Sequence, residues 1–375
     1  MLLIEADGKA LFRQYGITVP EGIVITDAAT PCAGIGPWMV KAQVPVGGRG
    51  KEGGIRKCTS AAAIAVAAQA MLGTRLKGHT VDAVLVEQTA TGMEKYLSLS
   101  IDPASYGIRV IYFANGGVDV EQAAEAGGAG KICAPDRAAI AATLADLLIG
   151  DPDRVALLSL GEKLADLLLS RELMLAEINP LFVSPAGCVA GDAKVVIDLN
   201  AIDRQPEIRA LIEARPGIYT DAVRKIAEGF DYVELDPSGE IGLLTTGAGL
   251  SMMLIDELTA RGGKPLNFLD IRTGQLRGSP QRIIHALTWM AERPSLKVVL
   301  VNIFAGITDL AEFSTLLADA LEKTPHMQAP VVARLVGRGA ATAKANLAQR
   351  RPGMLVTEDL QESLDAIGKI IGRAA

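Results

Sequence analysis

Aromatic side chains make up only 4% of the sequence, and there are three histidines. Packing therefore falls to Ala, Gly, Val, Leu and Ile, which suits helices lying close against a sheet. The four cysteines, Cys32, Cys58, Cys133 and Cys188, form no C-x-x-C pair and fit no zinc spacing. They read as free thiols in a reducing compartment. No apolar run reaches the roughly 18 residues a bilayer span requires. The nearest candidate, residues 61–72, is short and Ala-rich and reads as a buried helix. The first seven residues carry acids where a signal peptide carries bases, so a cytoplasmic chain is expected. Positive charge is not in excess either. The formal net charge of −6 disfavours general nucleic-acid binding, so any phosphate recognition is local. Neither G-x-x-x-x-G-K-[ST] nor G-x-S-x-G occurs. His79, His285 and His326 stand in no catalytic setting, and His285 falls in a helical stretch beside Ile283, Ile284 and Leu287.

What is present is a packed globular chain. Hydrophobic residues reach 49% and charged residues 21% over 375 residues, which predicts two or three ordinary domains and little disorder. The most informative stretch is residues 41–51. Lys41 ends a short apolar strand that begins at Trp38, and Gly47, Gly48, Arg49, Gly50 and Lys51 follow. Glycines let backbone N–H groups converge on one point and let a ligand approach closely. Lys41, Arg49 and Lys51 beside them favour a polyphosphate over an ordinary glycine-rich turn.

The order of the chain supports two halves. In the first, a helix is expected over residues 3–15, strands at 23–26, 38–42, 55–58 and 81–87, and a helix at 60–72. Residues 94–102 and 107–113 read as paired antiparallel strands. Residues 137–170 are mostly helical. Residues 173–183 form a strand with 189–197 as its hairpin partner. A charged stretch at 200–235 holds the expected boundary, giving domains of 1–225 and 226–375. In the second half, strands at 241–246, 267–270, 298–304, 330–335 and 354–356 alternate with helices. That rhythm predicts a parallel sheet covered on both faces, with ligands at the carboxyl ends of its strands.

Three constellations carry chemistry. Glu177, Asn179 and Asp192 converge if their strands pair, and such an oxygen set suits Mg2+. A polar hairpin face accounts for the same residues equally well. Glu87, at a strand end, is a candidate for a nucleotide hydroxyl or amino group; taken alone, a surface strand end explains it better. Gly247, Ala248 and Gly249 at a strand-to-helix junction make an anion site from free N–H groups and the positive helix end. They also open a dinucleotide fingerprint with Asp270 as its ribose acid, but Met252 replaces the third glycine. The chain thus offers phosphate sites without a nucleophile, which points to a partner chain that supplies one.

These residues resemble the β subunits of succinyl-CoA synthetase and of the related malate–CoA ligases, the ADP-forming acid–thiol ligases. The resemblance runs nearly end to end. It rests on residues 40–51, on Glu177 to Leu181, on Gly247 to Leu250, on Asn267 to Asp270, and on Val301 to Ile307. It implies an α/β fold in which an ATP-grasp domain precedes a flavodoxin-like CoA-ligase domain. It also implies that Lys41, Gly48, Arg49, Gly50, Glu87 and Glu94 hold ATP or GTP, and that Asn179 and Asp192 hold Mg2+. Glu177 would orient a phosphohistidine belonging to a partner α subunit, which also binds most of the CoA. Phosphate would pass from nucleotide to that histidine and then to a small acid, and CoA would displace it from the acyl phosphate. The helix starting near Gly247 would aim its N-terminus at the phosphohistidine. No Gly-His-Ala-Gly motif occurs here, as in the family's β subunits.

The sequence departs from the family pattern where the acid is expected. Succinate enzymes carry Asn-Gly-Ala-Gly, Asp-Val-Gly-Gly-Gly and an Arg-Cys-Asp segment. This chain has Thr246, then Arg272 and Thr273, then Thr308 after Gly306 and Ile307. Thr246, Arg272, Gly306, Ile307 and Thr308 are the expected acid-binding set. The acid is expected to be dicarboxylate-like: succinate, malate, or a hydroxylated or sulfonated analogue. A dinucleotide-dependent oxidoreductase and a non-catalytic nucleotide-sensing subunit are the competing readings. The residues do not choose between ATP and GTP, between αβ and α2β2 assemblies, or between directions of flux.

Overall fold

The computed structural model describes residues 1–31, 36–115, 130–306 and 308–372. It divides into two compact units, Met1–Tyr219 and Thr220–Ala375, so the division falls inside the charged stretch at 200–235. Among the described residues, no helix is long and apolar enough to cross a membrane.

The first unit opens with α1 (Glu5–Gln14), which buries Leu11 and Phe12 but also Glu5, Asp7 and Lys9. A first sheet follows. It contains β1 (Gly22–Ile25), β2 (Trp38–Ala42) and β3 (Ile55–Cys58). After α2 (Ala61–Met71) and a small hairpin of β4 (Arg75–Leu76) and β5 (His79–Thr80), β6 (Val84–Gln88) completes it. The strand order is β1-β6-β2-β3, antiparallel throughout. The Ser60 hydroxyl caps α2 by accepting from the Ala63 N–H. Its small residues Ala67 and Ala68, with Ile64 and Met71, pack on Val40, Val84 and Val86.

The second sheet of this unit contains β7 (Met93–Asp102), β8 (Gly107–Phe113) and β9 (Gly130–Cys133). Two helices, α3 (Arg137–Leu147) and α4 (Arg154–Ser170), precede β10 (Leu173–Ser184), β11 (Gly187–Ala190) and β12 (Lys194–Ile197). The expected single helical stretch is two helices because Gly150, at φ +83°, and Pro152 interrupt it. The expected hairpin partner of β10 is likewise split. β11 pairs with residues 181–184 of β10, and β12 pairs with residues 173–177. Residues 178–180 pair with neither, and the cis Asn179–Pro180 peptide lies there. The gap between β11 and β12 holds Gly191, Asp192 and Ala193. A further helix, α5 (Pro206–Glu213), leads to Tyr219. The Tyr219 hydroxyl donates to Asp7 Oδ2 at 2.7 Å and accepts from the Ile4 N–H at 2.9 Å, tying this end of the unit back onto α1.

The second unit begins with α6 (Thr220–Glu228) and β13 (Asp231–Glu234), followed by β14 (Ile241–Thr245), α7 (Ala248–Ala260) and β15 (Asn267–Asp270). Next come α8 (Gln281–Ala291), β16 (Val298–Ala305), α9 (Leu310–Lys323) and β17 (Val331–Gly337). It ends with α10 (Ala340–Arg350), β18 (Leu355–Thr357) and α11 (Leu360–Ile370). β14, β16, β17 and β18 form a parallel sheet in that order. Both faces are covered, as the two-residue alternation along β16 requires. Val299, Val301 and Ile303 pack with Ile283, Leu287, Phe313 and Leu317, whereas Val298 and Leu300 pack with Leu254, Leu258, Leu364 and Ile367.

One expected ladder strand is held differently. β15 pairs antiparallel with β13 in a two-stranded sheet. It flanks β14 through a side chain. The Asn267 amide accepts from the Leu243 N–H at 3.0 Å and donates to the Leu243 carbonyl at 2.9 Å. An amide side chain thereby satisfies backbone groups that a neighbouring strand would otherwise pair.

Candidate nucleotide and acid sites

In the first unit, the glycine loop and the β10–β12 strands border one cleft of about 230 Å³. Gly47, Gly48, Arg49 and Gly50 form one wall, and Glu177, Asn179, Asp192 and Lys194 form the other. The loop ends in a short 3-10 turn over Arg49–Glu52. Gly48 precedes it at φ +71°, a left-handed conformation that glycine adopts without steric cost. Lys77, on the β4–β5 hairpin, donates to the Gly47 carbonyl at 2.9 Å and adds a cation above the loop.

Glu5, Arg49 and Asp192 of this lining belong to a largely buried network of six charges. The Lys41 ammonium sits 2.7 Å from both Glu5 and Glu87 and donates to the Gly191 carbonyl at 2.8 Å. Lys9 repeats the pattern, at 2.7 Å from Glu5 and Glu87 and 2.9 Å from Gly191. Arg49 contacts Glu5 at 2.7 Å, Asp192 at 3.3 Å and the Ala42 carbonyl at 2.9 Å. Three cations thus face three carboxylates. Burial by itself would raise the Glu5 carboxyl, but Lys41, Lys9 and Arg49 outweigh it and hold Glu5 well below the usual range. Burial opposes the charge on Lys41 and Arg49, and the facing carboxylates raise both above their ordinary values. Asp192 goes the other way: burial and the Glu5 carboxylate push it up. Gly191 has no room for a side chain, because a Cβ there would lie 2.4 Å from Phe182 and 2.9 Å from the Pro180 carbonyl. Its carbonyl therefore reaches both lysines.

The structure places the expected nucleotide residues unequally. Gly48, Arg49 and Gly50 line the cleft. Lys41 and Glu87 stand behind it, and the Glu87 carboxylate is occupied by Lys9 and Lys41. Glu94 is exposed on β7 opposite Phe182 and lies outside the cleft lining. Asn179 and Asp192 offer oxygen donors on the same wall. Among the described residues, no set of three or more His, Cys, Asp or Glu side chains could hold a metal. Two oxygen donors are compatible with a cation that keeps most of its other ligands as water or phosphate, as Mg2+ does. Glu177 lies 3.5 Å from Lys194 across the β10–β12 pair. Glu5 and Lys9 were missed at the sequence level; charged residues at helical spacing beside Leu11 and Phe12 are the only local signal of their burial.

In the second unit, the carboxyl ends of β14, β15 and β16 carry three hydroxyls. Thr308 Oγ1 donates to Thr273 Oγ1 at 2.7 Å, and Thr246 Oγ1 lies 3.5 Å from Thr273 Oγ1. Asp270 Oδ1 accepts from the Gly247 N–H at 3.0 Å and the Arg272 N–H at 3.2 Å. The Arg272 side chain turns to Asp231 at 2.9 Å. A cleft of about 270 Å³ opens beside the hydroxyls, lined by Thr273, Gly274, Arg277, Thr308, Asp309 and Arg338 among others. Arg272, Thr246 and Gly306 lie outside that lining, and Gly306 is exposed past β16. Ile307 lies outside the described residues. His285 sits on α8, 2.7 Å from Glu228 and stacked on Trp289.

Comparison with known proteins agrees with this architecture. Residues 2–133 match the ATP-grasp domain model, and residues 244–368 match the CoA-ligase model. A succinate–CoA ligase [ADP-forming] subunit β from Desulfurococcus amylolyticus is 32% identical, over 99% of each chain. A counterpart from Archaeoglobus fulgidus, subunit β 2, is 34% identical over 99% of each chain. A third, from Chloroflexus aurantiacus, is 35% identical over 98% of this chain and 99% of its own. Among solved structures, ATP citrate lyase from Methanothrix soehngenii in complex with citrate and coenzyme A superposes with a TM-score of 0.70. It covers 99% of both chains at 17% identity, a likeness of fold. The chain belongs to the family of ADP-forming succinate–CoA ligase β subunits, an ATP-grasp domain followed by a CoA-ligase domain, and is an ADP-forming acid–CoA ligase chain.

Proposed function

We propose that this chain is the nucleotide-grasping subunit of a two-subunit acid–CoA ligase, acting with an α subunit that carries a phosphorylatable histidine and most of the CoA site. The observation that carries this is the single cleft joining the Gly47–Gly50 loop and Arg49 to Glu177, Asn179 and Asp192. In this reading, the loop N–H groups and Arg49 cradle the phosphates of ATP or GTP. Lys41 and Glu87 fix the loop from behind, and Glu94 lies toward the base and ribose. Asn179 and Asp192 hold Mg2+, which neutralises phosphate charge when bound. Glu177 orients the incoming histidine. A helix N-terminus whose first residues, Ala248 and Gly249, are exposed favours developing negative charge on a phosphoryl group in transfer.

The acid is a small dicarboxylate-like molecule, and the assembly acts in the cytoplasm as αβ or α2β2. The oxidoreductase reading has less support: Asp270, its ribose acid, is spent on the Gly247 and Arg272 N–H groups. Co-expression with the α subunit, followed by incubation with labelled ATP and Mg2+, tests the proposal. Label is expected on the α-subunit histidine and is lost when an acid and CoA are added. A purified β chain that makes a thioester alone, or an α histidine that stays unlabelled, would refute it.

A further inference from the structure

The loop after β15 is built in a way that chain geometry alone does not require. Arg272 and Arg277 both take left-handed backbone angles, at φ +52° and +50°. Such angles are sparsely populated by non-glycine residues, and Lys77, Tyr106 and Glu172 are the others here that adopt them among the described residues. Arg272 uses its position to bridge to Asp231. Arg277 is exposed and lines the 270 Å³ cleft. Among the described residues, no carboxylate lies within ion-pair distance of Arg277, although Glu312 lines the same cleft, whereas Arg338 is paired with Asp309 at 3.1 Å. Thr273 and Thr308, which both line the cleft, bring two hydroxyl protons to one oxygen–oxygen contact, and Thr246, outside the lining, lies 3.5 Å from Thr273. At least one donor and several lone pairs are left over for a ligand. The cleft volume falls just under the ~300 Å³ at which sites for drug-sized ligands begin, which suits a small acid.

We propose that this cleft receives the acid's far end, with Arg277 gripping its second carboxylate and the Thr273–Thr308 pair reading a hydroxyl beside it. The preferred substrate is then a hydroxylated dicarboxylate. This rests on the acid–CoA ligase reading above and names two specificity-determining residues within it, Arg277 and Thr273.

The test uses the assembled αβ enzyme with malate, succinate and butyrate as acids, measuring KM and kcat for each and for ATP. Wild type is expected to prefer malate over succinate, and succinate over butyrate. Arg277→Ala should raise KM for both dicarboxylates roughly ten- to a hundredfold, leave butyrate and ATP unchanged, and be partly rescued by Arg277→Lys. Thr273→Val should erase the malate-over-succinate preference while succinate kinetics hold. Dicarboxylate KM values untouched by Arg277→Ala, or butyrate falling in parallel, would overturn the assignment of Arg277 while the ligase reading stands. Wild type preferring succinate over malate would overturn the hydroxyl reading. No thioester from any acid would overturn both this inference and the proposed function.

Discussion

Replacing Lys9 by Met tests whether the six-charge network holds the first unit together. The Lys9 side chain is 1% exposed and its ammonium lies 2.7 Å from Glu5 and from Glu87. At that separation and an effective dielectric of about 20, each attraction is roughly 6 kcal/mol, so the pair of contacts is worth about 12 kcal/mol gross. Desolvation of the ammonium and repulsion from Lys41 and Arg49 take back most of that. What does not cancel is the state left behind. Three cations against three carboxylates become two against three, and Glu87, 2% exposed, keeps Lys41 as its remaining cation. Breaking a buried pair in this way costs about 3–5 kcal/mol. Methionine retains most of the stem volume, so little of the loss comes from a cavity. Hydrogen exchange read by mass spectrometry suits a chain of two units. Amides of α1, β2 and β6 should lose protection while those of β14 and β16 keep it. The double variant Lys9→Met, Glu87→Leu should lose less than the sum of the single variants, because it removes the stranded charge. A loss under about 1 kcal/mol, or additive single effects, would refute the reasoning.

Two further outcomes follow from the same geometry. Asn267→Leu should destabilise the second unit by about 1–3 kcal/mol, since the Leu243 N–H and carbonyl both lose their partner; urea unfolding of the full chain checks this, and an unchanged second-unit transition refutes it. The Glu5 carboxyl is held below its ordinary value of 4.5, so its contribution is complete above that pH and fades as acid approaches the folded-state value. The stability gap between wild type and Glu5→Gln should therefore be widest near neutrality and narrow on acidification, and a gap independent of pH would count against the network.

Local pattern determined a good deal of this protein. Short continuous apolar runs alternating with helical stretches place β14, β16, β17 and β18, and the glycine loop beside Lys41 and Arg49 stands out as a candidate phosphate cradle without any fold. The approach of Glu177 and Asn179 to Asp192 was conditional on strand pairing; the three line one cleft, although Asn179 and Asp192 both fall in the break between the β10–β11 and β10–β12 ladders. Tertiary structure alone decided the rest. Lys9 meets the Gly191 carbonyl across 182 residues of sequence, and nothing in a helix of mixed charges announces that Glu5 and Lys9 turn inward. Arg272 reads as the substrate arginine, yet Asp231, 41 residues away, takes its guanidinium and leaves Arg277 beside the cleft. Periodicity records which face of an element is buried. It does not record which distant charge meets a buried one, because that choice is made by chain topology and by the cost of leaving an ion unpaired away from water.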